Sequence, residues 1–189
     1  MKRPLIPTAL FAALVALAAP YATLADSTLS VQPVAGPLSV GDSFNVEVDI
    51  AGATDLYGLQ FDLDYDSTLL SFDGATEGSF LTSGGQTNPI TIDNGGGSIT
   101  FLDFLTGAVP GVSGDGGLVL FNFTALANGT STLDLANIIL LNSNLESINS
   151  NVNNGSVTIG STAVPEPDVF TLLISGLISF ALFVGPKRA

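Results

Sequence analysis

Apolar and polar residues alternate with a period of two along most of the middle of the chain. Phe44, Val46, Val48 and Ile50 alternate with Asn45, Glu47 and Asp49. Leu59, Phe61, Leu63 and Tyr65 alternate with Gln60, Asp62 and Asp64. A strand turns successive side chains to opposite faces, so this pattern predicts half-buried strands rather than helices. Further strands are predicted at Ile90–Ile92, Ser98–Phe104, Leu118–Ala125, Ser131–Leu135 and Ser156–Ile159, with weaker ones at Leu29–Val31 and Ala75–Phe80. Turn residues separate them: Ala51-Gly52, Asn94-Gly95-Gly96-Gly97, Gly114-Asp115-Gly116-Gly117, Asn128-Gly129 and Asn154-Gly155. The Asn- and Ser-rich segment Asn142–Asn154 reads as a long loop. About eight or nine short strands at this spacing imply an all-β fold, an antiparallel β-sandwich with no long amphipathic helix inside it.

Two runs break the alternation by being apolar on both faces, Thr100–Leu105 and Leu118–Phe121. Such a strand is either central and covered, or it shows an apolar outer stripe to a partner. If Phe101 faces the core, Leu102 and Phe104 face outward with Thr100. Core positions at Leu59, Phe61, Leu63 and Tyr65 likewise turn Gln60, Asp62 and Asp64 outward. Gln60, Asp62, Asp64, Leu102 and Phe104 are therefore the candidate partner-binding residues, a greasy centre with an acidic border.

The ends differ from the middle. Lys2 and Arg3 precede an apolar run from Ala9 to Ala19, then Pro20 and small residues up to Ala25. That order is a secretory signal peptide over residues 1–25, expected to form a helix and to be cleaved after Ala25. At the other end a linker over 161–168 leads to Val169–Gly185, which carries no charge, and then to Lys187 and Arg188. Seventeen helical residues at about 1.5 Å each reach roughly 25 Å, slightly short of a bilayer core. Residues 169–189 thus read as an apolar helix with a basic tail that contacts the membrane, its basic end cytoplasmic.

Charge then narrows the chemistry. All four Lys and Arg lie at the ends, so Asp26–Ala163 holds 15 of the 17 acids and no basic residue. Its formal net charge is −15, against −13 for the whole chain. So acidic a surface repels phosphate backbones and excludes nucleic acid as a partner. The chain has no His and no Cys, which removes imidazole- or thiol-based nucleophilic triads and zinc sites. No cofactor is expected.

One motif imitates a metal site. Asp62, Asp64 and Asp66 with Asp73 at the twelfth position have calcium-loop spacing, but Ser67 stands where the loop needs Gly. On a strand Asp62 and Asp64 lie about 6.8 Å apart, too far to share one ion. They read as solvated strand acids. A glycosidase would need one carboxylate pair facing across a cleft, and nothing singles out such a pair. Asn122, Asn128 and Asn154 head glycosylation-type triplets and are read as turn and strand residues.

Two family resemblances follow from quoted residues. Val164-Pro165-Glu166-Pro167, an apolar stretch and a short basic tail resemble a PEP-CTERM sorting signal, which implies processing by an exosortase in an exopolysaccharide-producing Gram-negative bacterium. Val40-Gly41-Asp42-Ser43-Phe44, then Leu56–Asp66 with Leu69-Leu70, Gly116-Gly117-Leu118 into Phe121-Asn122-Phe123, and Gly155-Ser156-Val157 resemble a cohesin domain. That second resemblance spans about Thr28 to Gly160, within an expected domain of residues 26–160. It implies a nine-stranded jelly-roll sandwich, no catalytic activity, and a dockerin-like protein partner bound through one sheet face. It also places Ser98–Phe104 in the same sheet as Leu59–Tyr65. Cohesins commonly carry Asn or Asp at two contact positions that align here with Gly58 and Gln60. The expected function is an exported, non-catalytic surface or matrix protein that binds a protein partner. Polysaccharide binding is the alternative, although the chain lacks the Trp that sugar stacking favours, and a secreted glycoside hydrolase ranks third.

Overall fold

A computed structural model describes residues 26–160, apart from 35 and 37. The expected signal helix in 1–25, the Val164–Pro167 motif and the apolar helix in 169–189 lie outside the described residues. Among those described, nine strands and one short helix occur: β1 (Ser27–Val31), β2 (Ser43–Tyr65), β3 (Leu70–Glu77), α1 (Ser79–Thr82), β4 (Ile90–Gly95), β5 (Ser98–Phe104), β6 (Val112–Ala125), β7 (Gly129–Asn142), β8 (Ser150–Asn153) and β9 (Gly155–Ile159). No helix among them is long and apolar enough to cross a membrane.

The architecture turns on β2, where two expected strands are one of 23 residues. Its first half pairs with β1 and β6, and its second half with β5 and β7. One layer is therefore β3-β6-β2-β1-β8 and the other β4-β5-β2-β7-β9, with β2 passing between them. Pairing is antiparallel except between β1 and β8. Ala51-Gly52, expected to be a turn, is where β2 changes sheets: the register against β6 shifts, and Gly52 (φ 67°) and Asp55 (φ 55°) leave the extended region. Glycine adopts that conformation without a Cβ clash. Asp55 is held there by its own carboxylate, which accepts from Gly111 N–H at 2.7 Å and from Ser143 Oγ at 2.7 Å. Those donors favour the ionised form and hold its pKa below the ordinary value, Ser143 foremost.

Three other elements differ from expectation. β6 starts at Val112 and runs through Gly114–Gly117, where Gly116 and Gly117 let neighbours approach rather than turn the chain. A Cβ at Gly116 would stand 3.0 Å from the Phe80 ring, and one at Gly117 would stand 2.6 Å from Glu47 Oε1. β7 continues from the expected Leu135 to Asn142, and the expected loop Asn142–Asn154 contains β8. Phe80, expected at the end of a strand, belongs to α1 and is buried. The doubly apolar Leu118-Val119 is explained by a bulge: Val48 pairs with Val119 and Asp49 with Gly117, so the extra Leu118 turns inward beside Val119.

The core fills the space between the layers. Phe61 and Phe101 from one sheet meet Phe121 from the other, with ring centroids 6.3 and 6.1 Å away in edge-to-face contact. Phe44, Phe72 and Tyr65 close around Phe123. Edge-to-face geometry brings the positive ring edge onto the negative face, which adds to the burial. This rigid centre fixes which side chains of β2 and β5 point away from it.

Candidate functional site

Leu59, Phe61, Leu63 and Phe101 are buried, so their neighbours on β2 and β5 occupy the opposite face. The cross-strand register then assembles that face row by row. Ile90 pairs with Leu102, Leu102 with Gln60, and Gln60 with Ile139. The next row is Phe104, Gly58 and Leu141. On the other side come Ile92, Thr100, Asp62 and Ala136, and beyond them Ser98, Asp64 and Asp134. All five sequence-predicted residues thus share one face of the β4-β5-β2-β7 sheet.

The middle of that face is apolar and concave. Gly58, Gln60, Leu102, Phe104, Ile139 and Leu141 border a groove of about 340 Å³, with Leu145 at its rim. Ile139 is 47% exposed and Leu145 67%, and Ile90 and Ile92 extend the stripe onto β4 at 38% and 50%. Apolar side chains this open on one face make it the candidate surface. Ile90, Ile92, Ile139, Leu141 and Leu145 were not singled out from the sequence. Ile90–Ile92 was legible as a strand, but its face was not. Ile138–Leu141 is an unbroken apolar run whose facing is set by a register shift near Asn137 (φ 48°).

The acids are placed differently from one another. Asp62 is tied into the sheet: Thr100 Oγ1 donates to its Oδ1 at 2.6 Å and Asn137 Nδ2 to its Oδ2 at 2.6 Å. Asp64 sits directly opposite Asp134, an unfavourable arrangement of like charges in a sheet, and Asn154 Nδ2 donates to Asp134 Oδ1 at 2.8 Å. Asp66 has turned away into the β2–β3 turn, where Thr68 donates to it through N–H at 2.9 Å and Oγ1 at 2.6 Å. Asp73 lies on β3 in the other layer and accepts from Thr124 Oγ1. The spacing that imitates a calcium loop therefore does not gather its carboxylates, and no acidic group fit to hold a metal occurs among the described residues.

Behind the groove lies a buried acid that the sequence pattern did not reveal. Asp103, between Leu102 and Phe104, points inward and is 1% exposed. Burial, then hydrogen bonding and charge repulsion with Glu77, push its pKa up to about 7. Backbone N–H groups of Phe104 (2.8 Å) and Asn88 (3.2 Å) donate to Asp103 Oδ1 and pull the other way. Glu77 Oε1 is itself buried without a hydrogen-bond partner. Asp103 on β5 and Glu77 on β3 thus bring two acids together behind the groove.

Two sheets packed around a shared aromatic core, with an apolar groove on one outer face, define a β-sandwich module. The model of the cohesin domain matches residues 27–159, and the chain belongs to that family. No curated protein matches it by sequence. Among solved structures it is similar to a non-cellulosomal cohesin from Archaeoglobus fulgidus, at 20% identity and a TM-score of 0.58 over 74% of this chain and 94% of that one. It is also similar to the sixth cohesin of Acetivibrio cellulolyticus scaffoldin B, solved with a Cel5 dockerin mutant, at 24% identity and 0.61 over 71% and 99%. A cohesin module of a family 33 glycoside hydrolase from Clostridium perfringens matches at 15% identity and 0.60 over 71% and 97%. At these identities the likeness is one of fold. Family membership supports a non-catalytic module.

Proposed function

We propose that this cohesin domain captures a dockerin-type protein through the outer face of β4-β5-β2-β7. The observation that carries the reading is the open apolar groove centred on Gly58, Leu102 and Phe104 with Ile139 beside it. An apolar centre bordered by polar residues is the anatomy of a protein interface, where a few buried side chains supply most of the affinity. Gln60, Asp62 and Asp64 form the polar side of it. The opposite layer presents Ser43, Asn45, Asn122 and Thr124 outward, a polar surface with no comparable apolar centre. A sugar platform is less well supplied, since Tyr57 and Phe104 are the two rings that line this groove and the rest of its apolar wall is aliphatic.

The reading also includes export and sorting. Residues 1–25 serve as the signal peptide, residues 161–168 as a linker, and Val164-Pro165-Glu166-Pro167 with 169–189 as an exosortase-processed sorting signal that holds the membrane before cleavage. The domain of 26–160 then works at the cell surface or in the extracellular matrix. Mass spectrometry of the exported protein tests this part: a start near Asp26 and loss of the segment after Pro167 support it, and retention of Val169–Ala189 overturns the sorting step.

Docking is tested by immobilising the full chain and passing a panel of purified dockerin modules over it. Capture by wild type and by Asn45→Ala, with loss in the Leu102→Ala/Phe104→Ala double variant, supports the reading. Failure to capture any module, or equal capture by the double variant, overturns it.

A further inference from the structure

We propose that Asp103 and Glu77 form a proton-held latch: a single proton shared by their carboxyls keeps the flank between the edge strands β3 and β4 closed, and its loss opens that flank. The proposal concerns the domain's own conformation and does not depend on which partner the outer face takes. Asp103 occupies an inward position of β5, directly across from the buried Leu59. Glu77 ends β3 opposite the buried Val119, and its Oε1 is buried with no donor to satisfy it. The two carboxyls lie within hydrogen-bonding reach of each other. Two ionised carboxylates repel in a space that water does not enter, whereas one protonated carboxyl donates to the other and relieves both. Burial first, and Glu77 after it, push Asp103 up to about 7, as this arrangement requires.

No fixed charge takes the place of the proton. Residues 26–160 hold no Lys, Arg or His, and the other titratable groups of the surrounding elements are engaged elsewhere. On β2, Asp55 accepts from Gly111 and Ser143, Tyr57 donates to the Gly107 carbonyl, and Asp62 accepts from Thr100 and Asn137. Glu47 and Asp49 lie together on the half of β2 that pairs with β6. Asp64 and Tyr65 lie at the end of β2, Asp64 opposite Asp134 of β7. Asp73 of β3 accepts from Thr124, Asp93 of β4 from Gly95 N–H, and Asp115 of β6 from Gly52 N–H. α1 contains no titratable group.

The hydrogen bonds around the pair define what it closes. β3 and β4 are neighbouring edges of the two layers, and no strand pairing joins them among the described residues. Asp103 Oδ1 accepts from Asn88 N–H as well as from Phe104 N–H, and Asn88 N–H also donates to the Phe104 carbonyl at 3.1 Å. The carboxyl thus clips the chain entering β4 onto β5. Glu77 is followed by Gly78, whose N–H donates to the Leu118 carbonyl at 2.8 Å, and by α1, which buries Phe80 and Leu81. β4 is exposed along its whole length, so little burial opposes its departure. Ionising the pair leaves two charges inside, and opening hydrates them. The closed form holds a proton that the open form releases, so opening grows as pH rises from the ordinary carboxylate range through about 7. Leu102 and Phe104 flank Asp103 and line the groove with it, so the groove wall is firm in acid and loosens in alkali.

The test follows amide exchange and side-chain carboxyl carbons by NMR in the isotopically labelled full chain, between about pH 5 and about pH 9. Wild type, Asp103→Asn and Glu77→Gln are compared, with thermal melts to show which variants fold. With the intrinsic rise of exchange with pH divided out, protection at Gly78, Asn88 and Phe104 is expected to fall by about tenfold or more in wild type across this range. Gln32 and Gly160, whose N–H groups donate to the Glu47 and Leu38 carbonyls away from this flank, should keep theirs. The two carboxyl carbons should respond together, in steps that belong to the pair. Either substitution should level the fall, because a neutral amide then does what the shared proton did. Glu77→Gln keeps the test decisive if Asp103→Asn unfolds. No fall at Gly78, Asn88 and Phe104, or an equal fall at Gln32 and Gly160, would overturn the latch. So would a fall that persists in a folded variant, or two carboxyls that titrate independently in the ordinary range. A wild-type response that EDTA alters would put a cation in the proton's place and overturn it as well.

Discussion

Replacing Asp103 by Asn should stabilise the domain at alkaline pH and leave it nearly unchanged in acid. In the folded chain the Asp103 carboxyl is buried beside Glu77 and titrates at about 7, against an ordinary 3.8. A folded pKa raised above the unfolded value means that the native state holds a proton which the unfolded chain releases. Stability is therefore greatest below the unfolded pKa, falls as pH rises through the interval between the two values, and levels off above the folded one. Each pH unit in that interval costs at most about 1.4 kcal/mol, so the loss between about pH 4 and pH 8 is on the order of 2–4 kcal/mol. Asn is neutral throughout. Its carbonyl oxygen keeps the bonds from Phe104 and Asn88 N–H, and its amide can donate to Glu77. Asp103→Asn should thus gain about 2–4 kcal/mol at about pH 8 and change by less than about 1 kcal/mol at about pH 4.5. Urea unfolding followed by far-UV circular dichroism at about pH 4.5, 6 and 8 measures both. Repulsion among the remaining acids also weakens the fold as pH rises, but it is common to both proteins and cancels in the difference. An equal loss of stability at all three pH values would refute the reasoning, as would a wild-type slope that Asp103→Asn leaves intact.

Other outcomes follow from packing, backbone and charge. Phe61→Ala should lower stability by about 3–5 kcal/mol in urea unfolding, because Phe61 is fully buried against Phe101 and Phe121. Leu102→Ala should cost less than about 1.5 kcal/mol in the same assay, since it packs on only one side; a loss equal to that of Phe61→Ala would place Leu102 in the core and withdraw the docking face. Gly97→Ala should lower the melting temperature by several degrees, because Gly97 has φ 94° and a Cβ there would meet the Tyr65 carbonyl oxygen. Raising the salt from about 0.05 to about 0.5 M should raise the melting temperature modestly by screening the excess of carboxylates; a fall would contradict that repulsion.

The strand faces were legible where burial on one side imprints a period of two, as in Phe44–Ile50 and Leu59–Tyr65, whereas those of Ser98–Phe104 followed only from taking Phe101 as core. Elements stayed hidden where the local signal and the tertiary role diverge. Gly52 has the residue type of a turn, yet the chain uses it to carry one strand from sheet to sheet. Gly114–Gly117 looks like a turn, yet it is a strand whose missing side chains admit Phe80 and Glu47. β8 has the polar sequence Ser-Asn-Val-Asn and owes its existence to parallel pairing with β1, a contact that no local pattern announces. The candidate face divides the same way. Gln60, Asp62, Asp64, Leu102 and Phe104 follow from alternation around fixed core residues. Ile139 and Leu141 depend on the register shift near Asn137, and the depth of the groove depends on Gly58, whose importance is the side chain it lacks. Asp103 was invisible because an acid at an inward position reads as a fault in the pattern until Glu77 is seen beside it.

The central claim, that this cohesin domain binds its partner through the outer face of β4-β5-β2-β7, is tested most directly by mapping backbone amide shifts. The isotopically labelled full chain is titrated with each dockerin module of the panel. The largest changes should fall on Gly58, Gln60, Leu102, Phe104, Ile139 and Leu141. Changes centred on Asn45, Asn122 and Thr124 of the opposite layer, or no change with any module, would contradict it.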